Sequence, residues 1–171
     1  MFSYRKANRE DLNDVLQIYS SAQAFMESNG NPQWGRGFPD KTDIFGGILG
    51  GIIYVVLKDG EIAAVFSAVN HEGNYDEIEG RWLSDGNYLA VHRVAVKDAF
   101  RGTGAAKYIL KTAALEIAAS RGRISIRMDT HEKNAPMLGL LASQEFVRCG
   151  TVHLFRDDSR RVAFEKIIRQ N

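Results

Sequence analysis

A chain of 171 residues is long enough for one domain of ordinary size, with a core that needs no covalent staples. Its 22 basic and 21 acidic residues leave a formal charge of +1, which argues against bulk electrostatic attachment to nucleic acid or to a membrane surface. Cys149 is the only cysteine, so no internal disulfide forms, and no Cys/His cluster has metal-ligand spacing; no metal is expected.

Met1 to Lys6 lacks the apolar core of a signal peptide. The same stretch, Phe2 to Ala7, alternates modestly and reads as a first strand. Asn8 then offers a cap with Asp11 three residues on. Leu12, Val15, Leu16, Tyr19, Ala22, Phe25 and Met26 follow at helical spacing. Asn29-Gly30-Asn31-Pro32 stops that helix, and a loop carrying Trp34 and Phe38 leads to a short helix from a Thr42 cap to Leu49. The uncharged run Ile44 to Leu57 is too short to span a bilayer and is broken by Gly46-Gly47 and Gly50-Gly51, so it reads as a helix end plus a buried strand. A cytoplasmic protein is expected.

Ile52 to Leu57 and Ile62 to Val69 are strand-forming runs, and Asp59-Gly60 between them predicts a hairpin. A polar connection, His71 to Gly86, holds Tyr75, Asp76, Glu77, Glu79 and Trp82. Its acidic residues read either as solvated surface or as groups that draw in a cationic amine. Tyr88 to Val96 is an apolar, β-branched strand. A helix begins near Thr103 and stops at Ser120-Arg121-Gly122. Ile124, Ile126, Met128 and Thr130 alternate with polar residues as a strand, which a βαβ connection makes parallel to Tyr88–Val96. Asn134 caps a further helix with Pro136 in its first turn. Phe146 to Phe155 and Val162 to Ile168 close the chain as strands. The order is β-α-α-β-β-β-α-β-α-β-β.

The turn after Val96 carries the chemistry. Arg101-Gly102-Thr103-Gly104-Ala105-Ala106 is a glycine-bearing turn feeding a helix N-terminus, where free backbone N–H groups and the helix dipole attract phosphate. It lacks both the Walker run that ends in Gly-Lys-Ser/Thr and the full dinucleotide fingerprint. The plain alternative is a strand-to-helix turn with no ligand.

With Arg101, Gly104 and Ala106 at this spacing after Val94-Ala95-Val96, the segment resembles the acyl-CoA-binding motif of the GNAT superfamily of N-acetyltransferases: Gln or Arg, two residues, Gly, one residue, then Gly or Ala. The element order resembles that fold over nearly the whole chain. Residues Asp129 to Met137 resemble a bacterial subgroup whose substrates are mostly unassigned. The resemblance implies one α/β (α+β) domain over residues 1–171. Its sheet is mixed and mostly antiparallel with a central splayed parallel strand pair, and helices cover both faces. It implies acetyl-CoA held by Val94, Ala95, Val96, Arg101, Gly102, Thr103, Gly104, Ala105, Ala106 and Asn134, and a homodimer paired through sheet edges or C-terminal strands is compatible with it. Two residues depart from the family pattern: Leu141 stands where many members place a Tyr as general acid, and Glu145 replaces the glycine that usually precedes the aromatic Phe146.

Acetyl transfer from a thioester to an amine needs a proton acceptor and a polarised carbonyl. Backbone N–H groups near Val94 would bind the thioester oxygen where the two parallel strands splay. His92 is the first candidate base, on a strand face shared with Val94 and Val96, and His131 at the end of the neighbouring strand is the second. Tyr88, on the His92 face, is the only phenol nearby to serve as acid. Trp34, Phe38 and Glu79 are candidate acceptor contacts; for the two aromatics the other reading is core cover. The expected activity is acetyl transfer from acetyl-CoA to a primary amine of a small molecule or peptide. The competing reading is a non-catalytic acyl-CoA-binding or regulatory module.

Overall fold

Asp59 and Gly60 both adopt left-handed backbone, with φ of 52° and 88°, the two-residue turn that the Asp-Gly pair predicts. It joins strand β2 (Ile53–Lys58) to strand β3 (Glu61–Val69). These observations come from a computed structural model that describes residues 1–35 and 37–168. The hydrogen-bonded strand order is β1-β2-β3-β5-β6-β8-β7-β4, a mixed eight-stranded sheet in which β5 (Tyr88–Val96) and β6 (Ser125–Thr130) run parallel. Among the described residues no helix is long and apolar enough to cross a membrane.

The chain forms two compact units. The first comprises Met1–Ala68 and Arg93–Ile109. Strand β1 (Phe2–Lys6) lies antiparallel to β2, which lies antiparallel to β3. Asn8 and Asp11 form a reciprocal capping box on a 3-10 turn that leads into helix α1 (Leu12–Ser28). Arg5 clamps the same Asp11 with contacts of 2.6 and 2.9 Å. Helix α2 (Lys41–Leu49) is capped by Asp40, which forms a box with Asp43. The expected Thr42 cap is therefore displaced by two residues, because Asp40 has an acidic residue three positions on to complete the reciprocal pair. Val15, Ile18, Tyr19 and Ala22 of α1, Ile44 and Ile48 of α2, Ile53, Val55 and Val65 of the strands, and Trp34 form this unit's core.

The second unit comprises Val69–His92 and the described residues from Leu110 onward. Here β5 pairs with β6 from Tyr88↔Ser125 to Ala90↔Arg127, β6 pairs antiparallel with β8 (Arg160–Ile167), and β8 with β7 (Val147–His153). The connection expected to be plain loop holds a 3-10 turn at Gly73–Tyr75 and a two-residue strand, β4 (Glu79–Gly80), on β7. Gly80 and Gly150 oppose one another so closely that a Cβ on Gly150 would stand 2.2 Å from the Glu79 carbonyl oxygen. Buried Ser125, Arg127 and Glu165 bring a polar network into this unit. Glu165 accepts from Leu83 N at 2.6 Å, from Ser84 and Ser125 hydroxyls, and from Arg127 Nε at 3.1 Å.

The helix expected from Thr103 begins at Ala105: α3 (Ala105–Tyr108) passes through a π turn (Ile109–Ala113) into α4 (Ala114–Ser120). Gly122 at φ 62° follows the helix end, where only glycine adopts left-handed backbone without strain. Helix α5 (Ala135–Ser143) is capped by Asn134. After it, Glu145 sits at φ 62°. The left-handed step that a glycine would make freely is forced on a residue with a Cβ. We expect Glu145→Gly to raise the unfolding free energy by about 1 kcal/mol, measured by urea denaturation; a loss of stability would show that the Glu145 side chain outweighs its backbone strain.

Candidate active site

β5 ends at Val96, where Lys97 N–H donates to the Ala63 carbonyl at 2.9 Å and ties the following turn to β3. A 3-10 turn, Asp98–Phe100, then brings Arg101 N–H to the Asp98 carbonyl and Thr103 N–H to that of Phe100, each at 3.2 Å. Gly102 and Gly104 stand at φ 75° and 92°, and a Cβ built on either would meet nothing within 4 Å. Glycine is required here by backbone conformation, and the space above the loop is open. Among the described residues the amides of Gly102, Gly104, Ala105 and Ala106 have no acceptor, so donors converge on open space at a helix start. The Arg101 guanidinium is held 2.7 Å from Asp98 and 3.9 Å from the centre of the Phe25 ring. Val94, Ala95 and Val96 precede this loop, with Ala95 buried in the first unit's core.

Arg93 interrupts β5 with φ of 54°. A non-glycine residue in this conformation costs about 1–2 kcal/mol and breaks the two-residue alternation of the strand. The alternation from which His92 was expected to share a face with Val94 and Val96 is therefore interrupted at Arg93. It holds on the other side: Tyr88, Ala90 and His92 all face Tyr75. Among the described residues the β5–β6 register ends at Ala90↔Arg127, although both strands continue. That is the splay expected of the parallel pair.

His92 lies between two carboxylates, with Nε2 3.1 Å from Glu72 and Nδ1 3.5 Å from Asp129. Burial pushes its pKa down, but Asp129 and Glu72 outweigh burial and raise it to about 9. The hydrogen bond to His92 in turn lowers Glu72 to about 2. Asp129 also accepts from the buried Tyr75 hydroxyl at 2.6 Å. Tyr88 accepts at its hydroxyl from Glu72 N–H at 3.0 Å, which anchors the polar connection to the strand. Glu72, Tyr75 and Asp129 form this cluster with His92 and Tyr88. The sequence reading did not bring Glu72 and Asp129 to His92, since the pairing is made by tertiary contacts between a loop and two strands.

The remaining candidates are dispersed. His131 accepts at Nδ1 from Lys133 N–H at 3.1 Å, and its carbonyl accepts from Asn134 N–H at 2.9 Å. Burial and the Arg161 charge lower its pKa. It shapes the turn into α5, where the Asn134 side-chain oxygen caps Met137 N–H at 3.3 Å. Trp34 is 7% exposed and packs edge-on to Tyr19 at 5.6 Å, so its core reading holds. Phe38 lies against the same cluster, with the Arg93 guanidinium 4.7 Å from its ring centre. Glu79 pairs with His153 at 2.8 Å and Arg160 at 3.6 Å. Leu141, where a general acid would stand, is fully buried.

The acetyltransferase (GNAT) family profile matches residues 15–146. A GNAT-family acetyltransferase of Streptococcus agalactiae 2603 is 33% identical, with a TM-score of 0.88 over 99% of this chain and 96% of its own. The chain belongs to the GNAT acetyltransferase family. A GNAT-family acetyltransferase from Listeria monocytogenes 4b F2365 shares the fold at 20% identity and a TM-score of 0.75, over 97% of this chain and 94% of its own. An aminoglycoside acetyltransferase solved with coenzyme A does so at 15% and 0.71, over 98% and 95%. No curated protein matches the chain.

Proposed function

We propose that the chain, residues 1–171, is one N-acetyltransferase domain that transfers acetyl from acetyl-CoA to a primary amine in the cytoplasm. The open loop, in which the amides of Gly102, Gly104, Ala105 and Ala106 have no acceptor among the described residues, carries this reading. It suits the diphosphate of coenzyme A, whose oxygens accept from convergent backbone donors; the aminoglycoside acetyltransferase sharing this fold was solved with coenzyme A. Holding the cofactor there positions the acetyl group and raises its effective concentration. The N–H of Val94, next to the left-handed Arg93, is our donor for the thioester oxygen, where negative charge develops during attack. His92 is the base. With a pKa near 9 it is a strong base present mostly as imidazolium at neutral pH, so turnover is expected to climb with pH toward 9. The thiolate leaves without a donor at position 141.

Titration with acetyl-CoA, coenzyme A and ATP tests the cofactor assignment; binding of ATP alone would end it. The buried Leu141 favours one competing reading, a binding module without turnover. Free-thiol release over a panel of amines and peptides separates the two, since a module releases none. Gly104→Ala places a Cβ at φ 92° and a methyl in the open space above the loop. A loop that relaxes to escape this strain moves its amides off their common target, and the coenzyme A Kd is expected to rise about 5- to 30-fold, the equivalent of the 1–2 kcal/mol left-handed penalty. An unchanged Kd by calorimetry would remove the loop as the diphosphate site.

A further inference from the structure

Arg93 and Tyr19 are two polar groups of the first unit that the proposed reaction leaves unused. Arg93 makes no ion pair or hydrogen bond among the described residues; its one close partner is the Phe38 ring at 4.7 Å. The half-buried Lys97 and the buried Arg127, by contrast, are each held by a carboxylate. Tyr19 is 2% exposed, and among the described residues its hydroxyl has no hydrogen-bond partner. Burial raises its pKa, while the nearby Arg93 charge opposes the rise, so the hydroxyl stays protonated and available as a donor. A buried hydroxyl without a partner and an unneutralised guanidinium each destabilise the empty protein. Both belong to one patch: Tyr19 and Trp34 are core neighbours, and Phe38 packs on that cluster beneath Arg93. Arg93 also directly precedes Val94, about 3.8 Å away from Cα to Cα.

We infer that the acceptor amine carries a carboxylate, bound by the Arg93 guanidinium and the Tyr19 hydroxyl, with an apolar or aromatic side chain against Phe38. The acceptor is thus of the amino-acid class. The planar fork of an arginine matches a carboxylate bidentately. Stacking on Phe38 holds the fork in place, which lowers the ordering cost of binding. The inference rests on the acetyl-transfer reading for its chemistry but not for its test, because carboxylate binding is measured without turnover.

The experiment uses matched pairs that differ only in the carboxylate: tyrosine and tyramine, phenylalanine and phenethylamine, leucine and isoamylamine. Calorimetry on the full chain saturated with coenzyme A gives affinity, and thiol release from acetyl-CoA gives turnover. At least one amino acid is expected to bind about 10- to 100-fold tighter than its decarboxylated partner, the range for hydrogen bonds to a charged group. Arg93→Met keeps an unbranched side chain at the left-handed position and is expected to bring that ratio close to one. Tyr19→Phe is expected to lower the ratio while raising Tm, because it removes a hydroxyl that lacks a partner when the site is empty. A purely structural Tyr19 would leave the ratio unmoved. No carboxylate preference in any pair, or a preference that survives Arg93→Met, overturns the inference. Preference in binding without turnover upholds it and instead sinks the transferase reading; turnover without preference does the reverse.

Discussion

His92→Gln is expected to lower kcat by about 10²- to 10⁴-fold, the usual contribution of a positioned base. It should also erase the rise in rate toward pH 9. The pH profile is the discriminating measurement. Glutamine fills a similar volume and still reaches Glu72 and Asp129 as a donor, so lost positioning alone would lower the rate equally at every pH. A retained alkaline rise would assign the proton to another group. The same residue leaves a mark on stability. A histidine raised from 6.5 to about 9 on folding adds stability that is fully present below pH 6.5 and is lost as pH rises through 9. Glu72, lowered from 4.5 to about 2, acts oppositely: its contribution is present above pH 4.5 and is lost as pH falls through 2. The wild-type chain should therefore lose stability between pH 6.5 and 9, and His92→Gln should lose that slope. Equilibrium denaturation at pH 6 and pH 9 provides the comparison.

Glu165→Ala is expected to cost about 3–5 kcal/mol, the penalty for removing one partner of a buried ion pair. Glu165 is wholly buried on β8 and pairs with Arg127 of β6 at 3.1 Å. It also accepts two backbone N–H groups, from Leu83 and Ser84, and two serine hydroxyls. Burial favours the protonated acid, but Ser125, Ser84 and Arg127 together hold the pKa below its ordinary value. Removing the carboxylate strands the Arg127 charge between the rings of Trp82 and Tyr88 and releases the segment that leads into β5. A urea midpoint shift equivalent to less than about 1 kcal/mol would show that water replaces the carboxylate without loss.

Most of the secondary structure was legible because local signals agreed with one another. The apolar stripe of α1, the Asp59-Gly60 turn and the Asn134 cap each match the observed element. The glycine loop was legible too, since positive φ at Gly102 and Gly104 is a demand that sequence writes openly. Strand β4 was not. Two residues carry no period, and Glu79–Gly80 becomes a strand only because glycines at 80 and 150 let the two backbones meet. Arg93 was missed for the opposite reason. Nothing about an arginine within a β-branched run announces left-handed backbone, so alternation reads straight through a position where the backbone breaks it. Glu72 and Asp129 stayed unassigned because a carboxylate in a polar loop and another on a strand's polar face look like surface until the fold joins them to one imidazole.

The kink at Arg93 narrows how this protein can diverge. Isoleucine, valine and threonine resist such a torsion most, whereas glycine, asparagine and aspartate tolerate it best. A library randomised at this codon would therefore be sieved for backbone compatibility before any selection for new acceptors took hold. Retuning toward bulkier or neutral compounds should proceed more readily through Phe38, leaving the bend itself intact.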